Sequence, residues 1–69
     1  MKLTLEACRV NVQASVKEMA KAVGVSEDTV YNWEKGKYAP TAKNMQKILD
    51  FFASKNFPIT INDINFFNH

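Results

Sequence analysis

Between Val16 and Trp33 two short amphipathic segments are separated only by Gly24, Val25 and Ser26. A connection of that length cannot bring the second segment back antiparallel beside the first, so two helices joined this way must cross at a steep angle. The residues inside the segments agree with such a crossing. Val16, Met19, Ala20 and Val23 make one apolar stripe at helical spacing, and Gly24 follows where the chain needs a left-handed residue at no steric cost. Ala20, the small member, is expected where the two axes approach most closely. Met19, Val23, Val25, Val30 and Trp33 then form the wedge that fixes the angle.

The rest of the chain reads as helix as well. Gly24, Gly36, Pro40 and Pro58 are the only glycines and prolines among 69 residues, and apolar residues recur between them at helical period. The spacing predicts an all-α single domain of five helices spanning residues 1–69. The first runs from about Leu5 to Val12, with Thr4 as N-cap and Leu5, Cys8 and Val12 on one face. Ser15 and Glu18 have the S-x-x-E form of a capping box, which starts the second helix at Val16; Gly24 ends it after Val23. Ser26 caps the third, Glu27 and Asp28 suit the positive end of its dipole, and Gly36 stops it. Thr41 caps a longer fourth helix carrying Met45, Ile48, Leu49 and Phe52. Asn56 to Pro58 break that helix, and Thr60 is expected to cap a last turn or two through Ile61, Ile64 and Phe67.

Composition removes several function classes. With 46% apolar and 12% aromatic residues the chain is too hydrophobic for disorder, although so small a core leaves only a few kcal/mol of net stability. A net charge of +2 permits a nucleic-acid partner without demanding one. The single cysteine, Cys8, excludes an internal disulfide, and with His69 alone beside it four zinc ligands cannot be assembled. No apolar run approaches the roughly 20 residues that cross a bilayer, and the start lacks a signal-peptide core, so a soluble cytoplasmic protein is expected. Neither a Ser/His or Cys/His pairing nor a phosphate-cradling glycine loop is present. An enzyme, a cofactor and a small-molecule ligand are therefore not expected.

On these residues, residues 16–36 resemble the helix-turn-helix of the Xre/Cro-like phage repressor family, most closely through Gly24-Val25-Ser26 and Val30-Tyr31-Asn32-Trp33-Glu34-Lys35-Gly36. The similarity extends over roughly residues 5 to 67. The resemblance implies a five-helix lambda-repressor-like domain that binds double-stranded operator DNA, usually as a homodimer, with the third helix in the major groove. It also implies an ion pair between Arg9 and Glu34, which ties the first helix to the third and is worth little if exposed. Because no separate dimerisation or cleavage domain is seen, the small Cro-like type of phage or prophage regulator, a repressor, is favoured. Three positions depart from the family: Gln13 stands where glycine is usual, Ala14 where leucine is usual, and Val16 where a DNA-contacting glutamine is common. The first turn is thus expected to be strained and less tightly packed.

With Val30 and Trp33 inward, Glu27, Asp28, Tyr31 and Asn32 occupy the side and end of the third helix that would enter a groove. Asn32 can bridge N6 and N7 of adenine, either carboxylate can accept from cytosine N4, and Tyr31 can meet a sugar or a thymine methyl. Dipole capping is the alternative for Glu27 and Asp28, and a plain surface aromatic for Tyr31. Residues 35–47 hold Lys35, Lys37, Lys43 and Lys47 and no acid. Lys35, Lys37 and Lys43 are candidate phosphate ligands, joined by Lys17, Ser15, Ser26 and Thr29 around the helix starts, whereas Lys47 is expected to face solvent. Two further readings stay open: an antitoxin that binds a toxin as well as DNA, and an interaction module docking through Ile61, Ile64, Phe66 and Phe67. Phe66 and Phe67 are also the expected source of a dimer contact.

Overall fold

Four side-chain oxygens start the four α-helices. Thr4 Oγ1 accepts from the Ala7 amide at 3.0 Å, Ser15 Oγ from Glu18 at 3.0 Å, Ser26 Oγ from Thr29 at 3.2 Å and Thr41 Oγ1 from Asn44 at 3.3 Å. Each removes one of the amide donors that a helix start leaves without an internal partner. The resulting elements are β1 (Leu3–Thr4), α1 (Leu5–Asn11), α2 (Val16–Val23), α3 (Glu27–Lys35), α4 (Ala42–Ser54) and β2 (Ile64–Asn65), with a three-residue 3-10 turn at Ile61–Asp63 before β2. They are seen in a computed structural model that describes residues 3–66.

The turn between α2 and α3 is built as its sequence requires. Gly24 has φ +86°, and its amide and that of Val25 both donate to the Ala20 carbonyl, at 2.8 and 3.0 Å. A Cβ at Gly24 would meet nothing within 4 Å, so the positive φ, not crowding, is what calls for glycine. Gly36 closes α3 in the same way at φ +77°. Met19, Ala20, Val23, Val30 and Trp33 are buried, Val25 packs against them, and Ile48 and Phe52 of α4 complete the centre of the core. The Phe52 ring meets Phe51 at 5.7 Å and Phe57 edge-on at 6.1 Å, which fastens the chain after α4 back onto that helix.

Two residues other than glycine take the left-handed conformation, Gln13 at φ +59° and Asn56 at φ +60°. Asn56 is a residue type that tolerates it, and it ends the run after α4; Gln13 is not, and it carries the strain expected between α1 and α2. Ala14 beside it is buried in the core. Half of the Ser15/Glu18 capping box forms. The Glu18 carboxylate does not turn back to the Ser15 amide but reaches across to the Lys55 ammonium, linking α2 to the end of α4.

Among the described residues the expected fifth α-helix is not formed. After Asn56 the chain runs without regular secondary structure to Thr60, whose amide and hydroxyl both donate to Asp63 Oδ2, at 2.9 and 3.1 Å. That pair of bonds is a capping box that starts the three-residue turn, which ends where Ile64 takes the extended conformation. The chain then pairs in parallel with its own beginning, Leu3 opposite Ile64 and Thr4 opposite Asn65. Backbone groups at both ends of the domain are thereby satisfied without a helix. Extended chain sends alternate side chains to one side, so Ile64 and Phe66 both enter the core; Phe66 is only 4% exposed. The expected apolar patch of Ile61, Ile64 and Phe66 is corrected accordingly: of the three only Ile61 is exposed. Phe67 and His69 lie outside the described residues.

Candidate nucleic-acid interface

α3 has one buried edge and one free edge. Val30 and Trp33 are in the core, whereas Glu27, Asp28 and Tyr31 are exposed and Asn32 is half-buried beside them. The four candidate base-reading residues therefore share the outward side and start of this helix. At that start, Ser26 Oγ holds the Thr29 amide and lies 2.9 Å from Thr29 Oγ1, so both hydroxyls are engaged in the cap. Ser15 Oγ is likewise committed to the start of α2. Val16, where the family commonly has glutamine, is a buried core residue and offers nothing to a groove.

The far end of α3 is clamped to α1. Arg9 Nε donates to Glu34 Oε2 at 2.7 Å, Nη2 to Glu34 Oε1 at 3.2 Å and Nη1 to the Ala14 carbonyl at 3.0 Å. The two side chains are only 14% and 6% exposed, so the pair is shielded, not the weak surface contact that sequence alone allowed. The hydrogen bond that the guanidinium donates to Glu34 outweighs desolvation and holds the Arg9 pKa above its ordinary value. One arginine thus ties together the end of α1, the strained turn at Gln13 and Ala14, and the last turn of α3.

Lys17 in the first turn of α2, Lys35 at the end of α3, Lys37 in the following loop and Lys43 in the first turn of α4 are all exposed, and none has a salt-bridge partner among the described residues. Lys47 is exposed as expected. The loop carrying Lys37 is folded against α3: the Gly36 amide donates to the Trp33 carbonyl at 3.2 Å and the Lys37 amide to the Asn32 carbonyl at 3.0 Å. At its other end Pro40 is buried. Tyr38, exposed, stands between these anchors. In the structure its hydroxyl accepts a hydrogen bond from Asn32 Nδ2 at 3.3 Å. Five residues, one of them the left-handed Gly36, separate the two, a relation that no helical period reveals, although an aromatic residue placed among lysines is a visible hint.

The segment that carries this helix pair, with its free edge and its lysines that lack a salt bridge among the described residues, matches a helix-turn-helix family model over residues 5–55. The chain belongs to the Xre/Cro-like helix-turn-helix family. That is a family of DNA-binding transcription regulators and not an enzyme class. A relative from Archaeoglobus fulgidus, described as an uncharacterized HTH-type transcriptional regulator, is 36% identical over 63 residues, covering 91% of this chain and 89% of the relative. No solved structure matches the chain. The matched segment contains α1 to α4, so it includes every candidate contact residue, while β1 and β2 both lie outside it.

Proposed function

We propose that this protein is a sequence-specific double-stranded DNA-binding regulator, a repressor of the small Cro-like phage type, that lays α3 in the major groove. The observation that carries the reading is the free edge of α3: Glu27, Asp28, Tyr31 and Asn32 stand outward on a helix whose other edge is locked by Val30, Trp33 and Glu34. Asn32 reads adenine through N6 and N7, and the acids at the helix start favour cytosine, whose N4 donates. Lys35, Lys37, Lys43 and Lys17 hold the phosphates on either side; the caps at Ser15 and Ser26 present helix starts to the same strand. Repression follows from occupancy, since a bound domain of this size covers the groove that a polymerase must enter.

Two copies act together on a two-fold site. With Phe66 buried, the described part of the tail offers no exposed aromatic residue. Support for pairing lies instead in a groove of about 400 Å³ between α4 and the tail, lined by Met45, Leu49 and Ile59, with exposed Ile61 at its rim. A knob and a groove on one surface can fill each other under a two-fold axis. Selection of bound duplexes from a random pool tests the whole reading. The expected product is a pair of inverted half-sites about one helical turn, or 34 Å, apart. Recovery of unenriched DNA refutes sequence-specific binding, and recovery of single half-sites refutes the pairing.

A further inference from the structure

Resting on that DNA-binding reading, we propose that Tyr38 is a positioning residue for base recognition, whose hydroxyl accepts from Asn32 and gives its own proton to a backbone phosphate. The argument starts from the asparagine amide. Its terminal torsion has two broad orientations, and only one reads adenine, with Nδ2 donating to N7 and Oδ1 accepting from N6. A free amide reverses easily and then offers its two faces the other way round. In the structure Nδ2 donates to Tyr38 Oη at 3.3 Å. That nitrogen carries two hydrogens, so one goes to the phenol and one remains for N7, while Oδ1 stays wholly available.

A phenol both donates and accepts, and alone it would satisfy either orientation of the amide. A phosphate removes that freedom. Once the single phenolic proton points at a phosphate oxygen, the oxygen of Tyr38 can only accept, and Nδ2 must face it. Phosphate engagement then fixes the amide in the adenine-reading orientation and sets Oδ1 against O6 of a guanine, acceptor against acceptor. The surroundings suit the role. Tyr38 is 50% exposed, it follows Lys37 in the cationic loop, and the loop is anchored to the same asparagine by the 3.0 Å bond from the Lys37 amide to the Asn32 carbonyl. Contact with the DNA backbone and contact with a base are joined through one oxygen atom.

Tyr38→Phe deletes that oxygen and keeps the ring. On the selected DNA site, and on sites with each other base at the Asn32 position, discrimination in favour of adenine should fall about two- to tenfold, the worth of one neutral hydrogen bond. The slope of log K against log salt should stay the same, because a neutral hydroxyl releases no counterion. In an Asn32→Ala background the same change should weaken all sequences equally and alter discrimination no further. A measurement on the free protein keeps the test independent of DNA affinity: the side-chain NH2 resonances of Asn32 should shift between wild type and Tyr38→Phe. If Asn32→Ala relaxes one base position while Tyr38→Phe leaves both discrimination and those resonances untouched, the positioning role is wrong and the DNA-binding reading stands. If Asn32→Ala relaxes no position, both fall together.

Discussion

Arg9 and Glu34, twenty-five residues apart, meet through two hydrogen bonds, Nε to Oε2 at 2.7 Å and Nη2 to Oε1 at 3.2 Å, and their contact decides where the last turn of α3 lies. Both side chains are largely shielded from water, so removing one leaves the other's charge uncompensated. Glu34→Ala is expected to cost about 2–4 kcal/mol, at the lower side of what a broken buried pair costs because Arg9 keeps its bond to the Ala14 carbonyl. For a domain this size that lowers the melting temperature by roughly 4–8 °C per kcal/mol. The double variant Arg9→Met with Glu34→Leu should recover most of the loss, since apolar groups of similar shape leave no orphaned charge. Thermal unfolding of the three proteins gives the answer, and a single variant as stable as wild type would refute the clamp.

Gln13 spends its left-handed φ of +59° without the exemption that glycine has. Such a conformation costs a residue with a Cβ about 1–2 kcal/mol, whereas glycine loses about 0.5–1 kcal/mol more backbone entropy on folding. Gln13→Gly should therefore stabilise by about 0.5 kcal/mol. The midpoint of urea unfolding should rise with its slope unchanged. A lower midpoint would mean that the exposed Gln13 side chain contributes more than its backbone costs.

What was legible in the sequence was whatever is written locally. Thr4, Ser15, Ser26 and Thr41 cap the helices they precede, Gly24 and Gly36 take the left-handed ends, and the Val16 to Trp33 wedge is buried apart from the half-covered Val25. The end of the chain was illegible because its structure is non-local. Ile64 and Asn65 form two residues of strand only because Leu3 and Thr4 lie beside them, and two residues are too few to show a period. Isoleucine and phenylalanine spaced as Ile61, Ile64 and Phe67 imitate a helical stripe, yet Ile64 and Phe66 share the inward side of extended chain. The outward residues of α3 were visible by subtraction once Val30 and Trp33 were assigned inward. Tyr38 escaped because its partner lies across a turn, and the Glu18 to Lys55 pair because the sequence separation is 37.

Asp63 gives the fold a dependence on acidity. Hydrogen bonds from the Thr60 amide, first, and the Thr60 hydroxyl hold its carboxylate below the ordinary value of 3.8. A carboxyl group whose pKa is lower folded than unfolded stabilises the fold above its unfolded pKa, and the contribution disappears as pH falls through the folded value. The window therefore lies below about pH 3.8, and neutral solutions do not probe it. Asp63→Asn should be less stable than wild type at pH 7, and the difference should narrow in acid until the two melting curves meet. Parallel curves at all pH values would show that the Thr60 to Asp63 bonds do not depend on the charge.

Salt separates phosphate contacts from base contacts, because each cation that neutralises a phosphate releases counterions whatever the sequence. Lys37 is exposed, it follows the left-handed Gly36, and its amide is fixed to the end of α3 by the bond to the Asn32 carbonyl, so its ammonium is held close to where the DNA backbone passes in the proposed complex. Its side chain neither caps a helix nor pairs with an acid among the described residues. Lys37→Ala should leave helix content and melting temperature unchanged, since alanine keeps the amide that anchors the loop. Binding to specific and random duplexes should weaken together, and the slope of log K against log salt should become shallower by about 1 per chain. Asn32→Ala should do the opposite, costing about 1–3 kcal/mol on the selected site with little change of slope. If the slope for Lys37→Ala equals that of wild type while the fold is intact, the DNA backbone does not pass this loop, and the placement of α3 in the groove must be turned away from it.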